Sequence, residues 1–539
     1  MNAEELSRQM AEAFADAGAT KMFGVPGGGN NLDLIGAAEA AGIDFVLVHA
    51  ETPAAIMASV YGDLTASPPI CVVTRGPGAA CAVNGVANAL LDRQRLVIVT
   101  DTVSAADQER IAHQQLDQRG LFRTVTKWSA TVGQGSVDET LAHGLATASQ
   151  PPMGPVHIDF DPTAESTAPL AELPPDAVNP AELERALELL ASASRPVIIF
   201  GVGARGLHDE VRAQMADSNA PMLLTYRAKG LIPDSWPSNA GLMTAATAEA
   251  PVLDAADLIV MIGVDTVEFI PASWPYSAPV VSFNAWREAA TYLPFAAEVV
   301  GDLSSLLARV APYARATSWP SAAGNSYRDA ELERLVAAGS APVDGLAPQT
   351  VVQRVRACSQ PRTIATVDAG AHMLPAMAFW DAEAVDEILI SSGLATMGFS
   401  LPAAIGAALA RPGRRVVAFT GDGGLGMCLG ELETLKRLSL PVTVVVFNDA
   451  RLSLIEIKAK PTGNGGEGAV RYARTDFAHV AQGYGLTAAT ASSVSELDAA
   501  VRAVEATGGP GLIDVEVDPS AYPQILDAVR GKRKLPATT

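Results

Sequence analysis

The chain has 539 residues, 49% of them hydrophobic and 18% charged, with 59 acidic against 38 basic side chains and a net charge of −21. That length exceeds what one hydrophobic core spans and predicts roughly three domains. The acidic balance argues against nucleic-acid binding as a main role, and the apolar content leaves little room for disorder. The longest apolar run, 401–410, is short and contains glycine, so no membrane span is expected. The polar, acidic start MNAEELSRQM does not read as a secretory signal. Cys71, Cys81, Cys358 and Cys428 lack CxxC spacing and read as reduced core thiols of a cytoplasmic protein.

Residues 4–18 predict an amphipathic helix, and KMFGVPGGGNNLDLIGAA (21–38) predicts a short strand, a Gly-rich turn and a second helix. The predicted strand 45–49 ends just before Glu51 and a helix follows, which puts Glu51 at a strand's carboxyl end. On its own, a glutamate there complements the helix dipole. Gly76-Pro77-Gly78 reads as a tight turn, and GPVHIDFDP (154–162) as the closing strand of this domain. Residues 166–185, rich in Pro, Ala and acids, read as a linker.

A second domain opens with RPVIIFGVGARG, where Gly201-x-Gly203-x-x-Gly206 follows a strand and invites a dinucleotide reading. The strand MLLTY, ~20 residues on, has no acidic residue for a ribose, which counts against a nicotinamide dehydrogenase. LIVMIGVDT (258–266) is another strand-to-helix turn, and 318–345 reads as a second linker.

The third domain is expected to open with a helix and the strand of TIATVDAGAHM (363–373), followed by SSGLATMGFSLPAAIGAALA. Its centre is VVAFTGDGGLGMCLGELETLKRLSLPVTVVVFN (416–448), which predicts a strand, a Gly-rich turn, a helical run through Leu440 and a second strand. Glycines at 421, 423 and 424 let backbone N–H groups approach a phosphate at the start of a helix, where the dipole favours negative charge. Asp422 and Asn448 bring hard oxygens to the carboxyl ends of neighbouring strands, a donor set suited to diphosphate-bound Mg²⁺.

The GDG turn followed, after residues 424–447, by Asn448 closing a strand resembles the thiamine diphosphate (ThDP) motif of the acetolactate synthase, pyruvate oxidase and benzoylformate decarboxylase superfamily. The likeness extends over nearly the whole chain. It implies three doubly wound α/β domains with parallel sheets: pyrimidine-binding (1–165), central (186–318) and diphosphate-binding (345–539). By this resemblance Glu51 hydrogen-bonds the cofactor's aminopyrimidine ring, where protonating a ring nitrogen lets the amino group take the thiazolium C2 proton. Gly76, Pro77 and Gly78 then lie close to the cofactor. Aligned on Thr126-Lys127, Gln114 falls on the family's glutamine and His113 on a residue that is usually aromatic, so both become candidates for acid/base or substrate contact. Gly370 and His372 resemble the pair near the diphosphate, with Ala371 in place of the usual glutamine, and Met397 the residue that props the cofactor into its V shape. The Ala450 carbonyl would complete the Mg²⁺ shell of Asp422 and Asn448. The plainer readings stay open beside these: a solvated histidine at 113, a strand-end histidine at 372 and a core methionine at 397.

The implied activity is decarboxylation of a 2-oxoacid such as pyruvate, with transfer of the two-carbon unit to an acceptor carbonyl. The active unit would be a homodimer or homotetramer in which Glu51 of one subunit faces Asp422 and Asn448 of another. Acetolactate synthases bind FAD in the central domain and usually carry an arginine shortly after the aspartate of its last turn. DTVEFIPASW (265–274) has none, which counts against FAD. A decarboxylase releasing aldehyde is the second reading, set behind the first because Thr74 and Gly28 stand where such enzymes often have histidine and serine. A non-catalytic homologue is the third, and the presence of Glu51 with the GDG-to-Asn set argues against it. DARLSLIEIKAK (449–460) departs from the GM-x-x-Q-W pattern that shapes the synthase pocket, so donor and acceptor stay open. The basic tail RGKRKLPATT is expected to be mobile.

Overall fold

The computed structural model of the chain describes residues 2–28, 30–104, 107, 109–168, 177–269, 273–288, 292–338, 345–458 and 467–531. Most of the basic tail lies outside them. Short apolar runs rich in Val and Ile become strands, and the glycine or acidic residues after them become turns. The first sheet comprises β1 (Lys21–Val25), β2 (Asp44–Leu47), β3 (Ile70–Val73), β4 (Leu96–Asp101), β5 (Trp128–Gln134) and β6 (Pro155–Glu165). The second holds β7 (Pro196–Phe200), β8 (Met222–Leu224), β9 (Asn239–Leu242), β10 (Leu258–Ile262), β11 (Val280–Asn284) and β12 (Phe295–Val300). The third holds β13 (Ile364–Val367), β14 (Ile388–Ile390), β15 (Val416–Gly421), β16 (Val442–Asn448), β17 (Thr487–Ala491) and β18 (Gly511–Glu516).

Within each sheet the pairings are parallel, and the strands β3, β4, β7, β10 and β16 are buried along their whole length, as expected where helices cover both faces. The first sheet runs β2-β1-β3-β4-β6-β5 and the third β14-β13-β15-β16-β18-β17, the same order counted from each domain's own first strand. The second runs β12-β11-β10-β7-β8-β9, which from its other edge is the 3-2-1-4-5-6 order of dinucleotide-binding domains. All three are doubly wound α/β sheets with a switch point, at β1/β3, β7/β10 and β13/β15.

The first and third domains share one apolar core, in which Ala54, Met57 and Ala58 of the helix Glu51–Leu64 pack against Leu401, Ala404 and Ile405 of the helix Ser400–Ala410. The central domain shares apolar contacts with the third, where Tyr226 and Leu335 join its core, and meets both neighbours through charge. Asp63 of the first domain meets Arg205 (2.8 Å) and Arg227 (3.2 Å), and Arg205 reaches Asp386 of the third (3.7 Å). Burial alone would raise the Asp63 carboxyl, but the two guanidiniums outweigh it and hold the group down at about 2.

Several local expectations are corrected. The linker read over 166–185 ends in the helix Pro180–Ser192, because Pro180 sits in its first turn, where proline is tolerated, behind the Asn179 cap. The stretch 318–345 contains the helix Ala323–Ala338, packed on β9. The single helical run after the GDG turn is two short helices, Asp422–Met427 and Glu431–Arg437. Of the cysteines, Cys71 and Cys428 are buried, but Cys81 is exposed and Cys358 half-buried, so only two are core thiols. Among the described residues no helix is long and apolar enough to cross a membrane.

Candidate active site

The carboxyl ends of β13 and β15 border a cavity of about 420 Å³ lined by Gly370, His372, Met397, Gly421, Asp422, Gly423 and Gly424. Asp368, fully buried at the end of β13, organises it. Its carboxylate accepts from the N–H groups of Ala369 (2.9 Å), Gly398 (3.1 Å) and Phe399 (3.2 Å) and from the Thr420 hydroxyl (2.9 Å). One side chain thus joins the Gly370 strand end, the Met397 turn and the residue leading into GDG. Burial pushes this carboxyl up to about 6 against those four donors. The same group explains a glycine: a β-carbon on Gly424 would lie 2.3 Å from Asp368 Oδ2.

Asp422 opens the helix Asp422–Met427. Its Oδ1 accepts from the Gly423 N–H (2.7 Å) and the Tyr472 hydroxyl (2.6 Å), and its Oδ2 from the Ala450 N–H (2.7 Å). Burial raises the carboxyl, and these bonds partly offset it. Asn448, fully buried, donates through Nδ2 to the Thr475 carbonyl and to Asp514 Oδ1, both at 2.9 Å. Its Oδ1 is buried with no hydrogen-bond partner among the described residues. Ala450 lies in the left-handed region (φ 58°), and its carbonyl accepts the Tyr472 N–H (3.1 Å) and no other donor among the described residues. Asp422 Oδ2, Asn448 Oδ1 and the Ala450 carbonyl therefore each keep an unused lone pair. A carboxylate, an amide oxygen and a backbone carbonyl beside a glycine turn fit Mg²⁺ held against a diphosphate. His372 stacks on Phe447 with centroids 5.2 Å apart, its Nε2 buried without a hydrogen-bond partner among the described residues. Burial lowers its pKa to about 3, so the ring is neutral.

The first domain carries the other candidates. Glu51 is the first residue of its helix, half-buried, and desolvation raises its carboxyl. Its Oε1 would lie 3.3 Å from a β-carbon on Gly78, so the glutamate and the Gly76-Pro77-Gly78 turn adjoin. Gly76 has φ 67°, and a β-carbon there would strike the Gln114 carbonyl at 2.5 Å. Gln114 itself is left-handed (φ 57°). His113 and Gln114 are exposed on the loop after β4. None of Glu51, His113 and Gln114 lines the cavity, whose walls come from the central and third domains.

Four residues at these sites were not singled out from sequence. Gln118 is buried, accepts the Gly76 N–H (2.8 Å) and is itself oriented by the Asp101 carbonyl and Asp159, both 2.9 Å from its Nε2. Asp368, Tyr472 and Asp514 act as described above. Asp368 alone left a usable signal, an acid directly after an apolar strand.

In the central crevice the dinucleotide turn is already engaged by the protein. Glu268 accepts the Val202 N–H (2.9 Å) and the Thr225 hydroxyl (2.6 Å), and burial pushes its carboxyl up to about 7. Arg93 of the first domain takes Asp265 at 2.5 Å.

Two glycine-turn crevices, one beside a glutamate and one beside an oxygen-only donor set, are the arrangement expected of a thiamine diphosphate type of enzyme. The N-terminal TPP binding, central and C-terminal TPP binding domain families of thiamine pyrophosphate enzymes match residues 4–121, 183–310 and 368–515, and the chain belongs to this family. It is 27% identical to the acetolactate synthase of Bacillus subtilis, over 94% of this chain and 92% of that one. It is also 27% identical to the acetolactate synthase isozyme 1 large subunit of Escherichia coli, over 93% and 92%. A probable 2-ketoarginine decarboxylase (AruI) of Pseudomonas aeruginosa is 28% identical, over 94% and 93%.

Proposed function

We propose that this enzyme decarboxylates a 2-oxoacid and passes the acyl unit to a carbonyl acceptor, in a homodimer or homotetramer. In that assembly Glu51 of one copy faces Asp422 and Asn448 of another. The observation that carries the reading is Asn448 Oδ1, buried without a hydrogen-bond partner among the described residues, at the end of the strand that pairs with the one leading into Asp422. Asp422, Asn448 and the Ala450 carbonyl would hold Mg²⁺, and the Gly421–Gly424 turn with Gly370 and His372 would receive the diphosphate. Bound thiamine diphosphate supplies the carbanion chemistry of decarboxylation and transfer. The protein's share is positional. Met397, whose Cε would lie 3.3 Å from a β-carbon on Gly423, lines the cavity beside the glycine turn. Glu51, with a carboxyl raised by burial, is the group suited to exchange a proton with the pyrimidine ring.

Support for a second copy comes from the surface. Glu51 and the Gly76 turn lie outside the cavity of their own chain, while Leu116, Met427 and Ile455, beside the two half-sites, are exposed apolar side chains. Carboligation is favoured over aldehyde release because Thr74 and Gly28 stand where such decarboxylases often carry histidine and serine, and because the two synthases above align over nearly their full length. The decarboxylase reading keeps one observation of its own. The segment Arg451–Lys458, which lacks the synthase pattern, lines the cavity. Incubating the protein with ThDP, Mg²⁺ and a panel of 2-oxoacids, with and without aldehyde acceptors, decides between them. Ligated products identified by mass support the proposal, and aldehyde alone in excess acceptor overturns it.

A further inference from the structure

The two ends of a carboxamide are almost alike in shape, so a buried asparagine offers a cation its oxygen only if something fixes its orientation. Asn448 is fixed from behind. Its Nδ2 faces two groups that only accept, the Thr475 carbonyl and Asp514 Oδ1. Turned over, the amide would set its oxygen against both acceptors, lose two hydrogen bonds and point N–H groups where a cation belongs. Of the two acceptors the ionised carboxylate makes the stronger bond. It is also the better anchored: Asp514 is buried on β18, and its Oδ2 accepts the Phe477 N–H (3.0 Å) at the start of the helix Phe477–Gly483. The carboxylate is pinned at one oxygen and directs Asn448 with the other.

We infer that Asp514 is a positioning residue for the cation site: it fixes the Asn448 amide so that Oδ1, and not Nδ2, faces Asp422. This rests on the cation site proposed above. It assigns a function to a group that would otherwise serve only to satisfy the Phe477 N–H. Partners that orient a metal ligand from behind typically change metal affinity by about 10- to 100-fold when removed.

The test is a cycle on the full-length protein saturated with ThDP, with Mn²⁺ affinity read by electron paramagnetic resonance for wild type, Asn448→Ala, Asp514→Ala and the double variant. Each single change is expected to weaken Mn²⁺ by about tenfold or more. The double variant is expected to match Asn448→Ala, because Asp514 acts through that amide. Losses that multiply in the double variant show general damage and overturn the inference. So does unchanged affinity in Asp514→Ala alongside a loss in Asn448→Ala. Unchanged affinity in Asn448→Ala removes the cation-site reading itself, and this inference with it. If Asp514→Ala does not fold, Asp514→Ser, which keeps a small acceptor for the Phe477 N–H, takes its place in the same cycle.

Discussion

His372 makes the third domain acid-labile by an amount the structure sets. The ring is 4% exposed and stacked on Phe447, and burial brings its pKa from 6.5 down to about 3. The folded-state value lies below the unfolded one, so the unfolded chain takes the proton first. The contribution of the neutral ring is complete above the unfolded value and is lost as pH falls from 6.5 toward 3. Between pH 7 and pH 5 the loss from this one group is about 2 kcal/mol. His372→Asn cannot titrate there and escapes that loss, whatever constant cost the substitution brings through the Phe447 contact. Urea unfolding of the cofactor-free protein, wild type and variant, at the two pH values isolates the effect, since every other titrating group cancels in the difference. Wild type should lose about 2 kcal/mol more than His372→Asn. Equal losses in the two proteins refute the assignment of a buried, neutral ring.

Asp422→Ala should abolish cation-dependent ThDP binding, because Oδ2 is the charged member of the donor set; calorimetry with and without EDTA checks it, and unchanged affinity removes the site. Glu51→Gln is nearly isosteric, so it should bind cofactor normally while turnover falls by roughly two orders of magnitude or more; wild-type exchange of the cofactor's C2 proton would count against the role. The purified protein should show no stoichiometric flavin absorbance, because Glu268 occupies the Val202 N–H and Arg93 occupies Asp265; a yellow protein with one flavin per chain contradicts this.

What could be read from the chain alone follows sequence separation. The GDG turn and Asn448 sit on consecutive strands, β15 and β16, so their spacing along the chain already contains their juxtaposition. Asp514 and Tyr472 reach the same site from 66 and 50 residues beyond their partners, through the pairing of β16 with β18 and the approach of residues 470–472 to 450–452. No local pattern marks either. Gln114 and Gln118 show a different limit. Two amides four residues apart carry the same chemistry, and only the placement of β4 beside β6 decides that Gln118 is buried under the Gly76 turn while Gln114 stays exposed. The error over 166–185 is one of proline: Pro180 reads as a breaker in composition but starts a helix when an asparagine caps it.

The three switch points show how little separates a phosphate site from a filled one. All three crevices end in glycine turns at the carboxyl edge of parallel strands, the setting in which α/β sheets bind ligands. In the third domain the carboxylate at the turn, Asp422, is tied back to its neighbours Gly423 and Ala450, and the glycines 421, 423 and 424 line the cavity. In the central domain Glu268 lies three residues after Asp265 and reaches across to the Val202 N–H, the group a dinucleotide phosphate would need. The glycine pattern is common to both; where the nearest carboxylate sends its hydrogen bonds separates them. A GxGxxG run is therefore weak grounds for a nucleotide here, whereas the GDG turn gains its force from Asn448, whose buried oxygen has no hydrogen-bond partner among the described residues.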